Sequence, residues 1–216
     1  MGRGNAARCQ RDMRRHGMML VETTTVPEAG LPVSDFKAHL RLGTGFGEDS
    51  VQDAVLVSFL RAAMSAIEGR TGRILLEHDF SLRLDRFRRA GEIALPLSPV
   101  GVVGAFEIVG PEGDVTVIDP DNWRLVPDLQ EPRLIMLGGA LPVLPTGGHA
   151  RLALTAGYGS AWTDLPSDLR QAVMLLAAHY YEYRNDTALD SGCMPFGVSA
   201  LTERYRKMRL SAGGER

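Results

Sequence analysis

The hydrophobic period of this chain changes twice. Leu56, Leu60, Ala63 and Ile67 fall at helical spacing, and Val55, Phe59, Ala62 and Ala66 widen that stripe. At Phe80 the period drops to two, with Phe80, Leu82 and Leu84 alternating with Ser81, Arg83 and Asp85 as a half-buried strand requires. Helical spacing returns at Leu165 and continues through Leu169, Val173, Leu176, Tyr180 and Tyr183. A chain that runs helix, strands, helix segregates its layers, which places it in the α+β class.

Local signals set the expected boundaries. Pro32 and Ser34 precede a short helix over 34–42, in which Phe36 and Leu40 share a face. Ser50 offers an N-cap with Asp53 three residues on, and the second helix is expected over 50–70, closing where Gly69 to Gly72 permit a left-handed cap. A strand-rich middle spans 74–156, with strand candidates at 80–84, 92–95, 102–109, 115–118, 123–126, 133–137 and 150–156. Turns such as Pro111-Glu112-Gly113-Asp114 and Asp119-Pro120-Asp121-Asn122 separate them, so the middle reads as a small antiparallel sheet. Asp164 and Pro166 open a long third helix over 166–185. The expected fold is a small helical bundle of two N-terminal helices and one long C-terminal helix, with an inserted antiparallel β-sheet region and an extended C-terminal arm over 187–216. Met194 to Leu210 is basic with spaced apolar anchors and has no room for a core of its own. It must pack on something else, either the body of the same chain or a partner.

Charge separates the ends from the body. The formal total is −2, yet residues 1–19 hold five arginines against Asp12, for +4, and residues 200–216 carry +3, leaving −9 on the remainder. Duplex affinity comes largely from neutralised phosphates, so a body this acidic argues against a DNA-gripping domain. It suits a solvated surface or a face that nucleic acid passes without sticking. Residues 1–18 show no apolar period and read as a disordered or over-extended N-terminal stretch, with the body at 19–186. The only cysteines, Cys9 and Cys193, lie near opposite ends, which excludes a disulfide scaffold and a cysteine zinc module. The apolar-rich stretch Leu95 to Val109 is interrupted by Pro96, Pro99 and Glu107, so no membrane span is expected.

Catalytic groupings do not assemble along the sequence. His179 and Glu182 sit three apart on the third helix and could share a metal, but no matching pair stands on another helix, so a helix surface or interface pair is the better reading. Gly43-Thr44-Gly45-Phe46-Gly47 lacks the preceding strand and following lysine of a phosphate loop and reads as a helix–helix connector. Asp119 and Asp121 flank a proline and read as turn formers rather than an acid–base pair, and Gly157-Tyr158-Gly159-Ser160 lacks nucleophile-elbow spacing. Cys193 has no histidine near it in sequence. No catalytic residue, metal ligand or cofactor site is expected.

Five stretches in order carry a resemblance: 31–40 (LPVSDFKAHL), 59–72 (FLRAAMSAIEGRTG), 93–100 (IALPLSPV), 165–172 (LPSDLRQA) and 195–206 (PFGVSALTERYR). With the element order, the chain resembles the head–tail connector, or adaptor, family of long-tailed bacteriophages over about Leu31 to Leu210. Its arginine-rich composition makes it look most like the adaptor of a bacterial gene transfer agent, a phage-like particle. The resemblance implies a structural, non-enzymatic protein assembled in the bacterial cytoplasm as a homo-oligomeric ring, commonly of twelve subunits, beneath the capsid portal. There it would extend a DNA channel without sequence-specific binding and meet the portal above and a stopper or tail-completion protein below. A stopper or tail-completion protein is the alternative identity, and an enzyme a more distant one. Carried onto this sequence, Phe196, Val198, Leu201, Tyr205 and Leu210 would be apolar portal anchors. Arg204, Arg206, Lys207 and Arg209 would meet acidic portal groups. His179, Tyr181 and Glu182 flank the main stripe of the third helix and are the candidate subunit-interface residues.

Overall fold

The computed structural model describes residues 17–41, 50–184 and 194–206. The Gly43–Gly47 connector, both cysteines, and Lys207, Arg209 and Leu210 of the expected docking arm lie outside the described residues, as do residues 1–16 and the side chain of Ser50 expected to cap the second helix. The chain forms two compact units, each built from separate stretches: a β unit containing residues 17–25 and 77–158, and a helical unit containing 26–41, 50–76, 159–184 and 194–206.

The β unit begins with β1 (Met18–Glu22) and continues with β2 (His78–Leu84), β3 (Glu92–Ala94), β4 (Val100–Val109), β5 (Val115–Val117), β6 (Trp123–Val126), β7 (Arg133–Met136) and β8 (His149–Ala156). The strands form two sheets rather than one. Five strands run in the order β1-β2-β8-β4-β5, and three in the order β3-β7-β6, with every neighbouring pair antiparallel. The period-two pattern fixes which face is dry. Phe80, Leu82 and Leu84 of β2 stand in register with Leu154, Leu152 and Ala150 of β8, and Phe106 and Ile108 of β4 complete the same buried face. Ile93, Leu134 and Met136 form the buried rows of the smaller sheet.

Met18 corrects the expected start of the body. It pairs with Leu84, Leu20 pairs with Leu82, and the Gly17 carbonyl accepts from the Asp85 N–H at 2.8 Å. The β unit thus includes residues 17 and 18, because the alternate side chains of this strand extend the β2 face.

In the helical unit, α1 (Val33–His39), α2 (Ser50–Thr71), α3 (Ser167–Glu182) and α4 (Phe196–Thr202) pack around one core. Phe36 of α1 is fully buried, with Leu56, Leu60, Ala63 and Ile67 of α2 and Leu169, Ala172, Val173 and Leu176 of α3. The helix α2 ends as its sequence predicts: Gly72 takes φ +69° and donates its N–H to the Glu68 carbonyl at 2.8 Å. Residues 74–76 belong to this core, with Ile74, Leu75 and Leu76 buried, not to the strand-rich middle. The α3 helix is entered through Pro166, after a 3-10 turn (Trp162–Asp164) in which Asp164 accepts the Ala161 N–H at 2.9 Å.

The described part of the expected extended arm is folded. Residues 196–202 make a helix, residues 203–205 a 3-10 turn, and α4 packs on α3. Val198 and Thr202, one helical turn apart, supply the buried contact.

Candidate functional site

The C-terminal segment presents two opposed faces. Its inner face is Val198 and Thr202, both fully buried, with the Thr202 hydroxyl donating to the Val198 carbonyl at 2.9 Å. Its outer face carries Phe196, which is 88% exposed on the first turn of α4. An aromatic ring that far into water forgoes about 2 kcal/mol of burial and is a ready contact for a partner.

The segment is held at its root by polar contacts. Asp168, in the first turn of α3, accepts the Tyr205 hydroxyl at 2.7 Å and pairs with the Arg204 guanidinium at 2.8 Å. Arg204 also stacks over the Tyr205 ring, 4.7 Å from its centroid, and hydrogen-bonds to its hydroxyl. The Tyr205 carbonyl accepts from Arg73, a buried guanidinium, at 3.3 Å. Burial raises the Tyr205 pKa, and the bond to Asp168 adds to the rise, so the phenol keeps the proton it donates. A carboxylate in the first turn of a helix is further stabilised by the helix dipole.

These contacts sort the expected docking residues. Phe196 is free to meet a partner, and Leu201 is half-buried. Val198 is a correction: it is spent on the chain's own helical unit, because a small β-branched residue on the inner face of α4 fills the contact with α3. Tyr205 and Arg204 are engaged by Asp168, a residue the sequence reading did not single out. Arg206 pairs with Glu203 at 3.2 Å on the surface.

The expected subunit-interface residues sit on the last turn of α3 but do not form one patch. Tyr181 is half-buried, edge-on to Phe59 at 6.0 Å, with Arg184 stacked 4.6 Å over its ring. His179 is half-buried with its ring 4.7 Å from that of Tyr183. Glu182 is exposed, as is the neighbouring Tyr183.

Elsewhere the polar motifs serve structure. Asp119 accepts the Asp121 N–H at 3.0 Å and caps the 3-10 turn at Pro120–Asn122. Among the described residues no group of three His, Cys, Asp or Glu side chains could hold a metal, and no helix is long and apolar enough to cross a membrane. A cavity of about 230 Å³ in the β unit is lined by Phe87, Ile93, three arginines and two glutamates; Arg89 there is paired with Glu92 at 2.8 Å and Glu131 at 3.3 Å.

Three solved structures are similar across nearly the whole chain. A protein in the neck of an empty gene transfer agent particle, solved with six-fold symmetry, is 50% identical, with a TM-score of 0.82 over 90% of this chain and 98% of that one. A protein of the native gene transfer agent virion is 49% identical with a TM-score of 0.80, over the same shares of the two chains. A protein in the native particle's neck, solved with twelve-fold symmetry, is 46% identical with a TM-score of 0.78, again covering 90% and 98%. No family model and no curated protein matches the chain.

Proposed function

We propose, for a chain that belongs to the head–tail connectors of gene transfer agent particles, the specific role of adaptor. Copies of it form a ring, of twelve subunits if it follows the twelve-fold neck of its relative, set between the capsid portal and a stopper or tail-completion protein. The ring extends the channel through which DNA leaves, and its role is structural rather than catalytic. Assembly takes place in the bacterial cytoplasm. The acidic body, −9 between the basic ends, suits a channel wall that DNA slides past, because fixed negative charge denies the phosphates a hold.

The observation that carries this reading is the two-faced C-terminal segment. Val198 and Thr202 fix its position, while Phe196 stands in water and is followed in sequence by the basic stretch of Arg204, Arg206, Lys207 and Arg209. An apolar knob followed by cations is the chemistry of a plug for an acid-rimmed apolar pocket, and the portal is the partner assigned to it.

Two variants test the assignment: Phe196→Asp, and deletion of residues 207–216. Each should leave the denaturation curve of the purified protein unchanged and yield heads that lack both neck and tail. Normal tailed particles from both variants would overturn portal docking by this segment. Filled heads that retain a ring beneath the portal in the complete absence of this chain would instead assign it to the stopper.

A further inference from the structure

We propose that neighbouring copies of this chain join through the two open edges of the five-stranded sheet, β5 of one copy lying parallel to β1 of the next. The inference rests on the ring reading above and specifies the junction between its subunits.

Strand order supplies the first argument. β1 and β5 end the order β1-β2-β8-β4-β5, and among the described residues neither has a partner on its outer side. Every pairing is antiparallel and the strand count is odd, so β1 and β5 run in the same direction. A rotation that closes a ring keeps every copy the same way up, and it brings β5 beside the next β1 as a parallel pair. The two edges are different surfaces, which is what a heterologous, ring-closing contact uses.

The side chains at the edges agree. One row crosses the whole sheet through successive partners: Met19, Arg83, Arg151, Glu107, Val117. Its middle is closed by the Arg151–Glu107 ion pair at 2.6 Å, while its two ends are apolar and open, Met19 at 48% and Val117 at 61% exposure. Val21 lies on the same face of β1 and Val115 on the same face of β5, and both are exposed. Natural edge strands are commonly blunted by charge, proline or a cover, and Val115-Thr116-Val117 has none of these among the described residues. Edge addition would place the two apolar pairs side by side and give the unpaired backbone groups their partners.

Charge fixes the same alignment independently. The β2–β3 loop leaves the sheet beside Gly17, at the start of β1, and carries Arg86 and Arg88. The β4–β5 turn leaves it at the start of β5 and carries Glu112 and Asp114. The register places both at the same end of the sheet, since Leu84 pairs with Ala150, and Val109 with His149. All four side chains are exposed, and none forms an ion pair among the described residues. In the parallel junction the basic loop of one copy meets the acidic turn of its neighbour.

The test uses particles assembled with a Cys9→Ser, Cys193→Ser chain carrying Met19→Cys with Val117→Cys, or Val21→Cys with Val117→Cys to allow for stagger. Mild oxidation should give a ladder of covalent multimers of this chain, whereas each single-cysteine chain should give nothing beyond a dimer. Particles that take up the variants normally and give no ladder from either pair overturn the junction and leave the ring standing. A neck holding a single copy overturns the ring itself. A covalent adduct with a different protein assigns the edge to that protein and overturns the inference. Should the cysteine chains fail to enter particles, charge reversal decides: Arg86→Glu should lose incorporation, and adding Glu112→Arg should restore it. No loss, or no restoration, overturns the junction.

Discussion

The Tyr205 hydroxyl reaches the Asp168 carboxylate at 2.7 Å, tying the last 3-10 turn of the described chain to the first turn of α3. The bond is one strand of a knot: Asp168 also holds Arg204, and the Tyr205 backbone satisfies part of the buried Arg73 guanidinium. A buried cation that loses an acceptor costs far more than the bond contributes when made, so the segment is held by the helical unit's own polar economy as well as by Val198.

The members of that knot should differ in weight. Arg204 is 68% exposed and its ion pair lies largely in water, so Arg204→Ala should cost under about 0.5 kcal/mol. Tyr205→Phe deletes a part-buried hydrogen bond to a charged group and should cost about 1.5 kcal/mol. Asp168→Ala removes the acceptor for both and the favourable charge at the helix start, and should cost about 2 to 3 kcal/mol. Urea denaturation of the three variants gives the ranking, and an Arg204 effect as large as that of Asp168 would reverse the account.

Phe196 and Val198, two residues apart on one short helix, should behave as opposites. Val198→Ala opens space in a closed contact and should destabilise the helical unit by about 1 to 2 kcal/mol, with any loss of particles following from the loss of fold. Phe196→Ala should leave stability within about 0.5 kcal/mol of the parent while impairing neck assembly. Thermal melts paired with particle counts separate the two. If the Phe196 variant melted early, that side chain would be packed in the protein, not presented by it.

Much of the fold could be read from the residues, and what escaped did so for identifiable reasons. Strands β2 and β8 were legible because one dry face imposes strict alternation on Phe80–Leu84 and Ala150–Ala156. The start of α3 was legible because Asp164 and Pro166 act locally. β1 was missed, since Met18-Met19-Leu20-Val21 lacks alternation and its role is defined only by β2, some sixty residues later. The division into two sheets was missed for the same reason: pairing β3 with β7 is a long-range choice that no turn announces. Among the expected docking residues, Val198 faces the body because it is buried against α3, a long-range contact that its own stretch of sequence does not announce; the tie of Tyr205 and Arg204 to Asp168 was missed because Asp168 reads in sequence as an ordinary helix-start acid. The alignment of Arg86 with Glu112 across the sheet ends is a product of strand order alone.

His149 should make stability depend on pH near neutrality. It opens β8 half-buried, and burial lowers its pKa from the ordinary 6.5, with nearby Arg83 adding to the drop and Asp85 opposing it. The folded chain therefore binds this proton less readily than the unfolded chain, and between 6.5 and the lower folded value the unfolded state holds more protons. Its contribution is fully present above 6.5 and is lost as pH falls through the folded value. Glu92, whose carboxyl is held below its ordinary 4.5 first by the bond from Arg89, acts in a separate and more acidic window. Melting temperatures taken from about pH 7.5 down to about pH 5.5 should fall in the parent and fall less in His149→Gln, which cannot take up the proton. Parallel slopes in the two proteins would mean that His149 titrates alike in both states and contributes nothing to the acid sensitivity of the β unit.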